Sequence, residues 1–370
     1  MANSAIQSGS VLSDEQTRRK NKAVAVWLLV GLAMIIVQTL LGGVTRLSGS
    51  GLSITEWDVV TGALPPLSHE AWLEEFAKYQ QSSQFKYLNS DFALSDFKSI
   101  FFWEWFHRLW ARSLGVVFAI PFVYFLVKKY FTESMVVPFV VLFVLGALQG
   151  AIGWIMVSSG LVGNAIYVRP TRLAIHFVLA MALACYVLWF ALKLLVPEKE
   201  RVGGQGLQTY FVVILALLML QLVYGALMAG HKAASAAATW PTINGSWLPQ
   251  GMAQSQSGHP LVENKMTIHF IHRNLAYLLA ILITVASIKI GAKQYGAASV
   301  WKKWRFVPQI LVLVQIALGI VTVLNGTHII PNRWGFFESV AELHQLVAMF
   351  LMLSLVVVIY LTGTAKAGTR

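Results

Sequence analysis

VAVWLLVGLAMIIVQTLLGG, residues 24–43, contains no charged side chain. A helix of roughly 20 apolar residues covers the hydrocarbon core of a bilayer. The run is too long for the apolar core of a signal peptide. A polar tail precedes it and no small-residue cleavage pattern follows, so it reads as a retained membrane helix. Seven more runs of this kind lie near 100–127, 136–157, 172–196, 208–229, 267–290, 307–325 and 340–362. The eight take about half of the 370 residues and leave no room for a separate soluble domain. Composition agrees: 57% of residues are hydrophobic, 12% are charged, and the mean hydropathy is +0.65. A soluble domain carries roughly 25% charged residues. A soluble enzyme, a disordered chain and a disulfide-stapled secreted domain are excluded. The single cysteine, Cys185, can form neither an internal disulfide nor a cysteine-built zinc or iron–sulfur site.

The net charge of +12 raises the question of nucleic acid, and topology answers it. With the N-terminus cytoplasmic, the inner segments hold 16 Lys and Arg residues, among them Lys293, Lys366 and Arg370, and the outer segments hold 9. Positive residues favour the cytoplasmic side, so both termini are expected there, and the charge serves orientation and lipid attraction rather than nucleic-acid binding. Two outer loops are long, 44–99 and 230–266, and the first contains a helix-like stretch from His69 to Lys86. Elaborated loops on one face point to binding on that face.

An internal repeat organises the spans. A Gln is followed four residues later by Gly in each odd-numbered span: Gln38/Gly42, Gln149/Gly153, Gln221/Gly225 and Gln315/Gly319. That step puts both residues on one helix face. A single pair reads best as helix packing, whereas four at similar depth indicate duplication. In the even-numbered spans, His107-Arg108 matches His272-Arg273, and His176 matches His344. The expected fold is therefore an all-α polytopic membrane protein. Its eight transmembrane helices form two tandem pseudo-symmetric four-helix bundles, related by an axis near the membrane normal. The boundaries are a cytoplasmic tail at 1–23, an N-terminal bundle at 24–200 and a C-terminal bundle at 201–370.

The four histidines lie at matching depth near the outer ends of their spans. Ionisable residues inside a membrane are functional candidates by default, although a lone histidine often serves only as a helix–helix hydrogen-bond partner. Two facing imidazoles suit the axial positions of a heme iron. Zinc normally takes three or four protein ligands, and no Cys or carboxylate recurs in both halves to complete such a set. One heme per bundle, on His107/His176 and His272/His344, is the preferred reading; pairing across bundles stays open. His69, His231, His259, His269 and His328 fall outside the matched set and read as loop or helix-end polarity. Glu104, one turn before His107, breaks the symmetry, because His269 stands at the equivalent position. It reads either as an i,i+4 ion-pair partner of Arg108 or as a proton acceptor or water-positioning base. Chemistry is thus expected in the first bundle and electron storage or transfer in the second. Arg46, Arg169, Arg172 and Arg333 are candidates for heme propionates and equally for interfacial anchoring.

Two longer motifs carry a family resemblance. Residues 42–53, GGVTRLSGSGLS, and residues 102–108, FWEWFHR, resemble the heme A synthases, and the likeness extends through His176, His272-Arg273 and Leu343-His344-Gln345. The resemblance implies oxidation of the C8 methyl of heme O to a formyl group through an alcohol, giving heme A for terminal oxidases. It implies Glu104 as the required acid, with His107 as a further catalytic residue. His107 and His176 would ligate the substrate heme O or product heme A in the N-terminal bundle, and His272 and His344 a heme b in the C-terminal bundle. Some members carry cysteine pairs in the outer loops; none stands there in this chain, which resembles the branch lacking them. Heme O synthase is the implied substrate donor. The electron-transfer partner is unidentified, and a homo-oligomer stays open. The short N-terminal segment with Asp14 and Glu15 favours a bacterial inner membrane over the mitochondrial one. The rival readings are a diheme b-type cytochrome exchanging electrons with quinone, and a transporter using the histidines for protons or metal.

Overall fold

The computed structural model describes residues 2–56, 61–203, 205–255, 257–292, 299–328 and 333–363. Lys293, Lys366 and Arg370 lie outside the described residues. Eight long helices dominate: α1 (Ala2–Leu47), α2 (Leu94–Val127), α3 (Glu133–Ser158), α4 (Pro170–Leu195), α5 (Gln205–Gly230), α6 (Lys265–Ala292), α7 (Val307–Leu324) and α8 (Phe336–Thr362). Among the described residues there is no strand, only an isolated bridge between Ile243 and Ser246. Among the described residues, eight helical segments are long and apolar enough to cross a membrane, one in each expected place. The protein is an all-α, polytopic membrane protein.

Two boundaries differ from expectation. The tail before residue 24 continues the first helix without a break. α2 begins at Leu94, six residues before the apolar run, because its first turns are amphipathic. Asp96 accepts a hydrogen bond from the Ala93 amide at 2.9 Å and stabilises the helix start. Phe97, Ile100 and Phe101 then bury themselves against the long loop between α1 and α2.

That loop folds on α2. The expected helical stretch is two helices, His69–Gln80 and Ser83–Leu88, with Ser68 and Ser82 as N-caps. Trp72, Phe76, Tyr79 and Phe85 form an aromatic cluster with Phe97 and Phe101. Burial pushes the Tyr79 phenol up to about 12, so it stays a neutral donor to Gln84 (3.1 Å). Gln84 in turn donates to the Gly49 carbonyl at 3.1 Å, tying the loop to the end of α1.

α4 and α8 touch each other at the centre, and each also touches both α1 and α5. α2 packs on α1 and α3 on α4, while α6 packs on α5 and α7 on α8. Exchanging α1 with α5 and α4 with α8 returns the same central contacts. α8 is the innermost helix and is buried almost throughout from Val347 to Thr362. Such all-round burial requires a helix that is apolar on every face, as this one is. The segment between α4 and α5 clasps its C-terminal end: Val202 N–H donates to the Leu361 carbonyl at 2.8 Å, and Arg201 donates to the Tyr360 hydroxyl at 3.0 Å.

Candidate heme sites

The two repeated motifs meet in space. In each consecutive helix pair, the Gln and Gly of the odd helix seat the histidine of the even one. Gln38 Nε2 lies 3.1 Å from His107 Nε2 and donates to the His107 carbonyl at 3.2 Å. Gln149 does the same to His176, at 3.3 Å to Nδ1 and 3.1 Å to the carbonyl. Gln221 donates to the His272 carbonyl at 2.9 Å, and Gln315 Nε2 lies 3.2 Å from His344 Nε2. The glycines supply the space. A Cβ on Gly42, Gly153, Gly225 or Gly319 would stand 3.1, 2.8, 3.3 or 3.1 Å from the Cε1 of the facing imidazole. Each ring therefore lies against bare backbone and is held there by an amide. Sequence spacing exposed both repeats but not that one grips the other.

His107 lies within electrostatic reach of His176, and His272 of His344. Among the described residues, no group of three or more His, Cys, Asp or Glu is gathered to hold a metal ion. Paired imidazoles without further ligands match the axial ligation of a macrocycle-bound iron better than a zinc cage. The Nδ1 atoms of His272 and His344 are buried without a hydrogen bond, as are the Oε1 atoms of Gln38, Gln149, Gln221 and Gln315. A metal-bound imidazole commonly donates its second ring N–H to a carbonyl. Each orphaned amide oxygen belongs to the side chain that already touches the ring, so the residues present fit a bis-imidazole heme. Gly153→Val should push the His176 ring out of its seat and weaken heme retention in the first half only. A visible titration of that variant with heme O checks this.

Glu104 is 2% exposed and fully engaged. Its Oε2 accepts from the Ser53 amide and hydroxyl, both at 2.7 Å, and from the Ile54 amide at 2.9 Å. Its Oε1 accepts from Arg108 at 2.5 Å, so the i,i+4 ion pair forms. Arg108 also donates to the carbonyls of Ile54 and Glu56. The acid and its arginine thus fasten the loop after α1 above His107. In the second half Arg273 donates to the carbonyls of Thr239 and Thr242, both at 2.8 Å, and lies 2.9 Å from His269 Nε2. The arginine clamp is common to both halves; a carboxylate partner for that arginine is present in the first alone, and His269 takes its place in the second.

Arg46 feels Glu342 and Glu338 of α8 electrostatically. Arg172 donates to the Ile155 carbonyl at 2.8 Å and ties α4 to α3, while Arg333 is exposed. Glu342 is the residue that sequence reading passed over. It is 4% exposed, neither carboxylate oxygen has a hydrogen bond, and it presses on Gly43 of α1. Its only sequence signal is an acid inside a membrane span two residues before His344.

Comparison with known proteins gives the same direction. The family model described as "COX15-CtaA: Cytochrome oxidase assembly protein" matches residues 25–356. A protein of Flavobacterium johnsoniae named Heme A synthase is 35% identical over 340 residues, covering 90% of this chain and 96% of its own length. Proteins of the same name from Rhodospirillum centenum and Paracoccus denitrificans are 42% and 39% identical, each covering 82% of this chain and 81% of their own. With eight membrane helices, four seated histidines and matches along nearly its whole length, the chain belongs to the COX15-CtaA family of cytochrome oxidase assembly proteins.

Proposed function

We propose that the chain is a heme A synthase, a membrane oxidoreductase that converts the C8 methyl of heme O to a formyl group through an alcohol. The carrying observation is the set of four seated histidines, two in each half, with an acid one turn before the histidine and bound to its neighbouring arginine, Glu104 before His107, in the first half alone. In this reading the protein divides at about residue 200 into two bundles, with both termini cytoplasmic in a bacterial inner membrane. His107 and His176 would hold the substrate macrocycle, and His272 and His344 a b-type heme. When bound, the iron macrocycles supply the redox chemistry.

The chain's own residues orient and deprotonate. The Gln–Gly seats fix both rings of a pair and so fix the plane of whatever they grip. The loop at 51–54 is pinned by Glu104 and by Arg108, the residue after His107. Glu104 is the proton acceptor beside His107, and Arg108 holds its carboxylate in one orientation. Arg46 offers a cation to a propionate at the boundary between halves. Heme O synthase is the donor of the substrate, and an electron carrier completes the turnover. Expression in cells that make heme O but lack this step should produce heme A, detected by extraction and chromatography. A heme O pool left unchanged by well-expressed protein would overturn the reading.

A further inference from the structure

Helices α6 and α7 pack closely, backbone to backbone. Their counterparts α2 and α3 lack that packing. Phe118 and Phe122 of α2 meet Phe139 and Phe143 of α3, at ring separations of 4.7 to 5.7 Å, but only toward the inner ends of both helices. Toward the outer ends a cleft of about 190 Å³ separates them. One wall is Ile54, Thr55, Glu56 and Arg108; the other is Trp154, Val157 and neighbours at the end of α3.

This cleft lies beside the first imidazole pair. Arg108 follows His107 directly, and Trp154 follows Gly153, the residue under the His176 ring. Trp154 is 48% exposed at the lip, so the wall offers a flat apolar surface toward lipid. The opposite wall is the loop that Glu104 and Arg108 pin.

Resting on the function proposed above, we propose that the amphiphilic tetrapyrrole enters and leaves the first half sideways, from the outer leaflet, through the cleft between α2 and α3. The closed α6–α7 edge keeps the group of the second half resident. A heme has an apolar ring and a charged propionate edge. It partitions into the leaflet in the orientation that such a slot accepts, ring toward Trp154 and charged edge toward the outer surface. One half exchanges its macrocycle at each turnover and the other keeps it, and this difference in packing accounts for that division.

The single cysteine makes the test direct. In a Cys185→Ser background, Thr55→Cys and Val157→Cys are bridged across the cleft by a bis-maleimide whose spacer contains a reducible disulfide. Phosphatidylcholine vesicles carrying heme O are the donor, and growth of the Soret band reports uptake independently of turnover. Bridging should abolish heme O uptake, reductant should restore it, and the heme b content should not change. Uptake by the bridged protein at the unbridged rate overturns the inference, as does absence of uptake by the unbridged protein. Reversible block of uptake without any heme A formation would support the route and sink the assigned reaction.

Discussion

Glu104→Ala is expected to lower heme A formation by ~10²-fold or more, the usual contribution of a positioned acid or base, while the protein still binds heme. The same change also frees the loop at 51–54, since four hydrogen bonds end on that carboxylate. Glu104→Gln separates the two effects. Its amide oxygen can still accept from the Ser53 and Ile54 amides, so the loop stays fastened, but the side chain no longer takes a proton. Both variants should accumulate heme O at the expense of heme A in membrane extracts. A Gln variant that makes heme A at the parental rate would reduce Glu104 to a loop anchor.

His272→Ala and His344→Ala should each cost one heme per chain and leave uptake of heme O by the first half intact. The orphaned Nδ1 atoms and the Gly225 and Gly319 seats have no other evident task. His107→Ala and His176→Ala should show the reverse, a retained b-type heme and no bound heme O. A pyridine hemochrome assay of the four purified variants reads this directly. Equal heme content in all four and in the parent would refute the division of labour. Each ring sits against bare backbone, so truncation to Ala opens space without overpacking, and the fold should persist.

The membrane architecture was legible because apolar length is a coarse property that a linear chain displays openly. All eight spans lie where the hydropathy puts them. The start of α2 was not, since Asp96 and Lys98 dilute the apolar signal while Phe97 and Phe101 face a loop cluster that exists only after folding. The break at Gln81-Ser82 depended on a local Ser cap that hydropathy does not weigh. The four histidines were visible through their register, and so were the Gln–Gly pairs. Their union was not, because residues such as Gln38 and His107 are 69 positions apart and a helix period carries no information between helices. Glu104 was singled out, but its bonds to Ser53 and Ile54 follow from the path of the loop. Glu342 escaped because its meaning lies in Gly43 and Arg46 on another helix.

If each half holds one macrocycle between two imidazoles, the bound hemes are visible in the purified protein. Purification from cells with ample heme, followed by absorption spectroscopy and acid extraction, tests it most directly. A Soret band with low-spin bis-imidazole character is expected, with extracts containing a b-type heme together with heme O or heme A. Protein without a Soret band, or with protoheme as its sole extractable heme in cells that make heme O, would contradict it.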